Sequence, residues 1–332
     1  LMSVRLKIAL VFSCLWTALS CAADNYGVNP AAQAVVDELV QEEGFDREQL
    51  QQVFAQAERQ ESILKAIARP AEKTKAWYEY RGIFLTEKRE KQGLEFFAEH
   101  RETLERAERE TGVPAQIIVA IIGVETSYGR NTGSYRVIDA LSTLAFDYPR
   151  RSEFFTKELK NYLMLTRDQG FDPLDLKGSY AGAMGYGQFM PSSYRSYAVD
   201  FDGDEVIDIW NNPVDAIGSV ANYFKRHGWR AGEPVVFAAD ASADAPEELF
   251  VRSRSDLKPV RTVAEFAAAG VVARQELDPE ALATAMKFEL EDGYEYWLGL
   301  HNFYVITRYN HSAMYAMSVY QLSQRLAAQG VQ

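Results

Sequence analysis

The sequence predicts an α+β fold, predominantly α-helical, and three observations point there. Apolar residues recur at helical spacing from about residue 31 to 110, in a tract dense in Glu, Gln, Ala, Lys and Arg. A nearly all-apolar run from Ile117 to Val124 follows Pro114, as expected of a helix buried on every side. Between residues 233 and 295 the pattern changes to short β-type runs separated by Pro, Asp and Ser turns.

Taken in order, Val35, Val36, Leu39 and Val40 mark one amphipathic helix, and Leu50, Val53, Phe54 and Ala57 mark another. The aromatic tract 75–84 reads as a loop or broken helix, and 87–110 as one long helix ending near Gly112. Pro114 suits a first helical turn, where its missing N–H leaves nothing unpaired. Helices are expected at 136–145 and 151–169, a Gly-rich loop at 178–191, an acidic loop at 200–212 and a helix at 213–228. Residues 234–238, 249–252 and 285–290 read as strands, with short helices at 263–269 and 279–282. The chain turns aromatic at Tyr296 and helical again from about Ser312.

Composition excludes several classes. With 332 residues, 47% apolar and 25% charged, the chain can bury a sizeable core and is neither disordered nor collagenous. A net charge of −12 and pI near 5.0 argue against a nucleic-acid surface. Two cysteines cannot build a disulfide framework or a four-thiolate zinc site, and the four histidines have no metal-ligand spacing. At the N-terminus, Arg5 and Lys7 precede an apolar run ending in Ser20, Cys21, Ala22 and Ala23, the pattern of a secretory signal peptide over 1–23. The expected location is the periplasm. Lipidation of Cys21, giving an outer-membrane lipoprotein, is the alternative, although Leu19 sits one place too late in the preceding triplet.

Glu125 is the leading candidate for chemistry. It closes the apolar helix one turn beyond Ile121 and Ile122, so its carboxyl is expected against apolar walls, with a raised pKa suited to a general acid. A Glu that reaches the surface, or pairs with Arg130, is the alternative at this point. The loop Gly178 to Tyr194 brings glycines that allow close backbone approach, with Ser179, Gln188 and tyrosines as hydrogen-bonding and stacking groups. It lacks the Lys and preceding strand of a phosphate loop.

Three motifs then resemble one family. Gly123-Val-Glu-Thr-Ser-Tyr-Gly129, Ala181-Gly-Ala-Met-Gly-Tyr-Gly-Gln-Phe-Met-Pro-Ser-Ser193 and Ala216-Ile-Gly-Ser-Val-Ala-Asn-Tyr-Phe224 are similar, in order and spacing, to the lytic murein transglycosylase B family. The likeness runs from about residue 27 to 328. It implies a lysozyme-like helical core (111–232) with a flanking helical domain (24–110), a small β-containing insertion (233–295) and a return to the core with a C-terminal helix (296–332). It also implies non-hydrolytic cleavage of the β-1,4 bond between N-acetylmuramic acid and N-acetylglucosamine, with Glu125 as sole acid and base. Ser179 and Gln188 match residues that hydrogen-bond the sugar; Tyr80, Tyr223, Tyr309, Asn310 and Tyr315 match the lining of the cleft. The partner implied is the peptidoglycan glycan strand; contacts with cell-wall synthases are not readable from the sequence. The alternatives are a lysozyme-type hydrolase, in which water captures the intermediate, and a non-catalytic peptidoglycan-binding protein.

The acidic loop places Asp200, Asp202, Asp204 and Asp208 at positions 1, 3, 5 and 9 of a calcium-loop template, with the Val206 carbonyl at position 7. Glu205 replaces the usual Gly and Asn211 the usual final Glu. Related transglycosylases have a lengthened loop with a later carboxylate, a slot that Asp215 fills. The expected ion is a structural Ca2+.

Overall fold

The structure is a computed structural model that describes residues 25–68 and 75–331. The expected signal peptide, with Cys21, therefore lies outside the described residues. Helices dominate, and their apolar faces converge on two cores, with a third under a small sheet.

The central helix, Ala115–Thr126, is buried along nearly its whole length, as its all-apolar sequence requires. Around it pack helices Glu87–Glu99, Arg101–Thr111, Pro213–Arg226 and Ala313–Ala327. A second core is built by helices Pro30–Glu43, Arg47–Gln56, Val137–Asp147 and Ser152–Gln169. The 24–110 segment, expected as one helical unit, thus divides its apolar faces: Tyr26 to Ile63 enter the second core, Trp77 to Ala107 the first.

Several local expectations change. Tract 75–84 contains a helix, Trp77–Phe84, because Trp77 and Tyr80 fall on one face and bury together. The long helix expected over 87–110 breaks at His100 (φ −114°, ψ 23°), which ends one helix and starts the next; Gly112 then caps the second in a left-handed conformation. Residues 249–252 form no strand: Glu247–Leu249 is a 3-10 turn, and only Phe250 bridges to Ala285. Residues 279–282 form no helix, since Leu282 begins strand Leu282–Glu289 and pairs with Thr262.

The sheet is antiparallel throughout, in the order Arg261–Thr262, Leu282–Glu289, Tyr294–Gly299, Val236–Ala241, Val271–Ala273. Its register sets Val236 opposite Gly299. Strand Tyr294–Gly299 runs past residue 295, so the sheet extends four residues beyond the expected end of the insertion. Trp77 ties this sheet to the helical core, donating its indole N–H to Glu295 Oε1 at 2.6 Å.

Candidate active site

Glu125 lies one residue before the end of the central helix. The chain then makes three consecutive left-handed residues, Ser127 (φ 50°), Tyr128 (62°) and Gly129 (79°), which turn it sharply away from the helix end. Gly129 is required twice over: its φ is positive, and a Cβ there would lie 2.2 Å from the Tyr186 ring. The carboxyl is partly buried, and Tyr315 Oη donates to Glu125 Oε1 at 2.5 Å. Burial disfavours the carboxylate and pushes its pKa up to about 7, against a smaller downward pull from the Tyr315 hydroxyl. Among the described residues no second acid contributes to this shift. The alternative of pairing with Arg130 does not hold, because Arg130 reaches Glu95 (3.7 Å) and the Ser127 carbonyl.

The Gly-rich loop closes on the same region. Thr126 Oγ1 donates to the Tyr186 carbonyl (2.9 Å), and Tyr309 Oη donates to the Gly187 carbonyl (2.6 Å). A Cβ at Gly187 would meet that Tyr309 hydroxyl at 2.7 Å, so the close approach needs glycine. Tyr309 also feels the Glu125 charge, which together with burial holds its phenol protonated. Tyr80 neighbours Tyr315 closely enough to influence its ionisation, and stacks on Trp77.

The remaining sequence candidates bond to the loop and to the wall behind Tyr309. Ser179 Oγ accepts the N–H groups of Ala181 and Ala183, which shapes the loop. Gln188, itself left-handed (φ 52°), donates Nε2 to the carbonyls of Thr132 and Gly185. Tyr223 packs behind Tyr309 (4.7 Å between ring centroids) and gives its hydroxyl to the Arg308 carbonyl, so it supports the wall from within. Asn310 is exposed at the end of helix His301–Tyr309. Thr126 was legible only as part of its motif; its role as a bolt between helix and loop emerges from the fold.

In the acidic loop, oxygens of Asp200, Asp202 and Asp204 converge within 4.8 Å of one another. Asp200 also accepts the N–H groups of Gly203, Asp204 and Glu205, which curls the loop around its carboxylate. Asp215 is fully buried, accepts the N–H groups of Phe201 (2.7 Å) and Asp208 (2.8 Å), bracing the two ends of the loop, and feels the charges of Asp202 and Asp200. The Val206 N–H donates to Asp204 Oδ1.

A buried acid at a helix end, next to the residue that bolts a glycine loop to that helix, can give and take a proton. Comparison with known proteins decides the substrate: the family model described as transglycosylase SLT domain matches residues 27–324. The chain belongs to this lytic transglycosylase family. It is 47% identical over 317 residues to the membrane-bound lytic murein transglycosylase B of Escherichia coli K12, covering 93% of this chain and 86% of that one. The solved structure of soluble lytic transglycosylase SltB1 from Pseudomonas aeruginosa superposes with a TM-score of 0.86 at 55% identity, over 90% of this chain and 99% of that one. Escherichia coli Slt35, solved with bulgecin A and with calcium, gives 0.85 at 47% identity, over 93% and 96%. The chain is a peptidoglycan lytic transglycosylase, a lyase acting on glycan strands of the cell wall. No helix among the described residues is long and apolar enough to cross a membrane.

Proposed function

We propose that Glu125 alone performs the acid and base steps, and that the muramyl residue supplies its own nucleophile. The carrying observation is a single carboxyl whose pKa of about 7 leaves it about half protonated at neutrality, able both to give and to take a proton. Ordinary glycosidases need a second carboxylate, either as nucleophile or to activate water. Here Glu125 gives its proton to the glycosidic oxygen between N-acetylmuramic acid and N-acetylglucosamine. The C1–O bond breaks with its electron pair going to that oxygen, and the substrate's N-acetyl group stabilises the cationic C1. The Glu125 carboxylate then takes the proton of the muramyl 6-hydroxyl, whose oxygen bonds to C1. A 1,6-anhydro ring results, and Glu125 is again protonated.

Mass analysis of fragments released from purified sacculi tests this reading. The expected product is the anhydro sugar, one water lighter than a reducing end; a reducing-end product would instead assign a lysozyme-type hydrolase. Glu125→Gln is expected to bind sacculi with turnover down by about 10²–10⁴-fold. Unchanged turnover would remove Glu125 from its role.

The acidic loop, in this reading, holds a structural Ca2+ through Asp200, Asp202, Asp204 and the Val206 carbonyl. The convergence of three carboxylates supports it, as does the calcium complex of the related Slt35. Asp215 would act from behind, fixing the backbone that presents those ligands. Ser179, Gln188, Tyr80, Tyr309 and Asn310 are assigned to the glycan groove. The enzyme works in the periplasm after export, with Cys21 lipidation as the alternative route to the same wall.

A further inference from the structure

Just past Glu125 and Thr126, two residues that carry side chains stand in the left-handed region, Ser127 and Tyr128. There the Cβ crowds the following carbonyl oxygen, and such residues persist only where their surroundings hold them. One face of helix Glu87–Glu99 holds both. Arg89 Nη2 donates to Ser127 Oγ at 3.2 Å. Four residues on, along the same face, Gly93 opens a slot for the Tyr128 ring. A Cβ at Gly93, or at Gly123 on the helix of Glu125, would stand 2.5 Å from the Tyr128 hydroxyl, so the ring fits only between two glycines. That buried hydroxyl has no hydrogen-bond partner among the described residues, so the slot holds the ring by shape.

Arg89 is itself fixed. Its backbone N–H donates to Thr86 Oγ1 (3.2 Å), and its guanidinium lies over the Phe84 ring, 5.2 Å from the centroid. Among the described residues no carboxylate lies within ion-pairing distance of it, and the adjacent Glu90 is taken by Arg325 at 2.6 Å. Burial pushes the Arg89 pKa down, as expected of a half-buried cation without a counter-charge. Its side chain therefore gains nothing from an ion pair, and spends its hydrogen bond on Ser127. Phe84 in turn packs on Tyr80 (5.4 Å between ring centroids), and Tyr80 neighbours Tyr315, which donates to Glu125. Arg89 thus stands between the turn that follows the acid and the aromatic wall that bonds it.

We propose that Arg89 is a positioning residue: through Ser127 it holds the left-handed turn, and the turn fixes where the Glu125 carboxyl stands against the bound strand. The inference rests on Glu125 as the reacting acid. Steady-state kinetics on glycan strands from purified sacculi test it, with kcat counted per folded enzyme. Arg89→Met, which keeps the apolar stem, and Ser127→Ala are each expected to lower kcat by about 10–10²-fold with KM unchanged, as for a misplaced reacting group. Because both remove one contact, the double variant should lose no more than either single one. Losses that multiply, or a kcat that stays at the wild-type value while only Tm falls, overturn the proposal and leave Arg89 a structural residue. Ser127→Gly covers the case of poor folding. Glycine takes the left-handed region without strain, so this variant should melt no lower than wild type and still lose kcat, since Arg89 has nothing to hold. Full kcat in Ser127→Gly overturns the proposal. Failure of the Glu125 assignment looks different: Glu125→Gln would then keep turnover, whatever the Arg89 variants do.

Discussion

The phenol of Tyr315 donates to Glu125 Oε1 at 2.5 Å, across 190 residues of chain. This contact stabilises the carboxylate, while burial works the other way and prevails. The acid's proton affinity is thus a balance between a helix at the centre of the fold and a helix at its C-terminal end.

Removing the hydroxyl tips that balance. Tyr315→Phe should raise the Glu125 pKa further, moving the basic limb of the kcat/KM profile to higher pH. The lost hydrogen bond should cost about 1 kcal/mol of stability in a urea melt. A basic limb that stays put would show that the phenol does not tune the acid.

The raised pKa also fixes the sign of the pH dependence. A general acid must be protonated, so kcat/KM should fall above about pH 7 with a single-proton slope. For stability, a carboxyl whose folded pKa lies above its unfolded value favours the fold most at low pH. That contribution is lost as pH rises from the ordinary carboxyl value through about 7. Glu125→Gln carries no such loss, so its Tm advantage over wild type should widen from about pH 5 to about pH 8. A constant gap would contradict the shifted pKa.

Calcium removal should lower Tm, and added Ca2+ should restore it. A metal present at about 100 times its Kd contributes about 2.7 kcal/mol. Asp202→Asn/Asp204→Asn should abolish the calcium response while leaving the chelated protein's Tm near that of chelated wild type. A Tm indifferent to both chelator and calcium would defeat the assignment.

Asp215 should behave differently from those ligands. Asp215→Ala strands the N–H groups of Phe201 and Asp208 and should destabilise even the chelated protein by about 2–4 kcal/mol. Denaturant melts in excess chelator would measure this, and a difference seen only with calcium present would return Asp215 to the ligand set.

Much of the site was legible because it is local. Glu125 declares itself by terminating an apolar helix, and the glycine loop by its spacing. What joins them was not, because Thr126 to Tyr186 and Tyr309 to Gly187 are contacts between distant segments. The helix break at His100 is not legible in the sequence because the polar pattern runs through it unchanged. Asp215 was legible as the later carboxylate of a lengthened loop, but not its bonds to the backbone amides of Phe201 and Asp208, which need the folded loop.

The register that sets Val236 opposite Gly299 gives the small sheet one point of departure from the chain and return to it. Its entry and exit strands are paired neighbours, and Leu300 N–H closes back on the Val235 carbonyl at 3.0 Å. A chain that leaves and returns at one point can be lengthened, trimmed or exchanged there without rerouting the helices. Glu125, Tyr315 and the glycine loop all lie outside that loop-out. A sheet grafted between residues 235 and 300 would therefore leave the order of the helices around Glu125 unchanged, provided it refills the core positions of Met286 and Phe288.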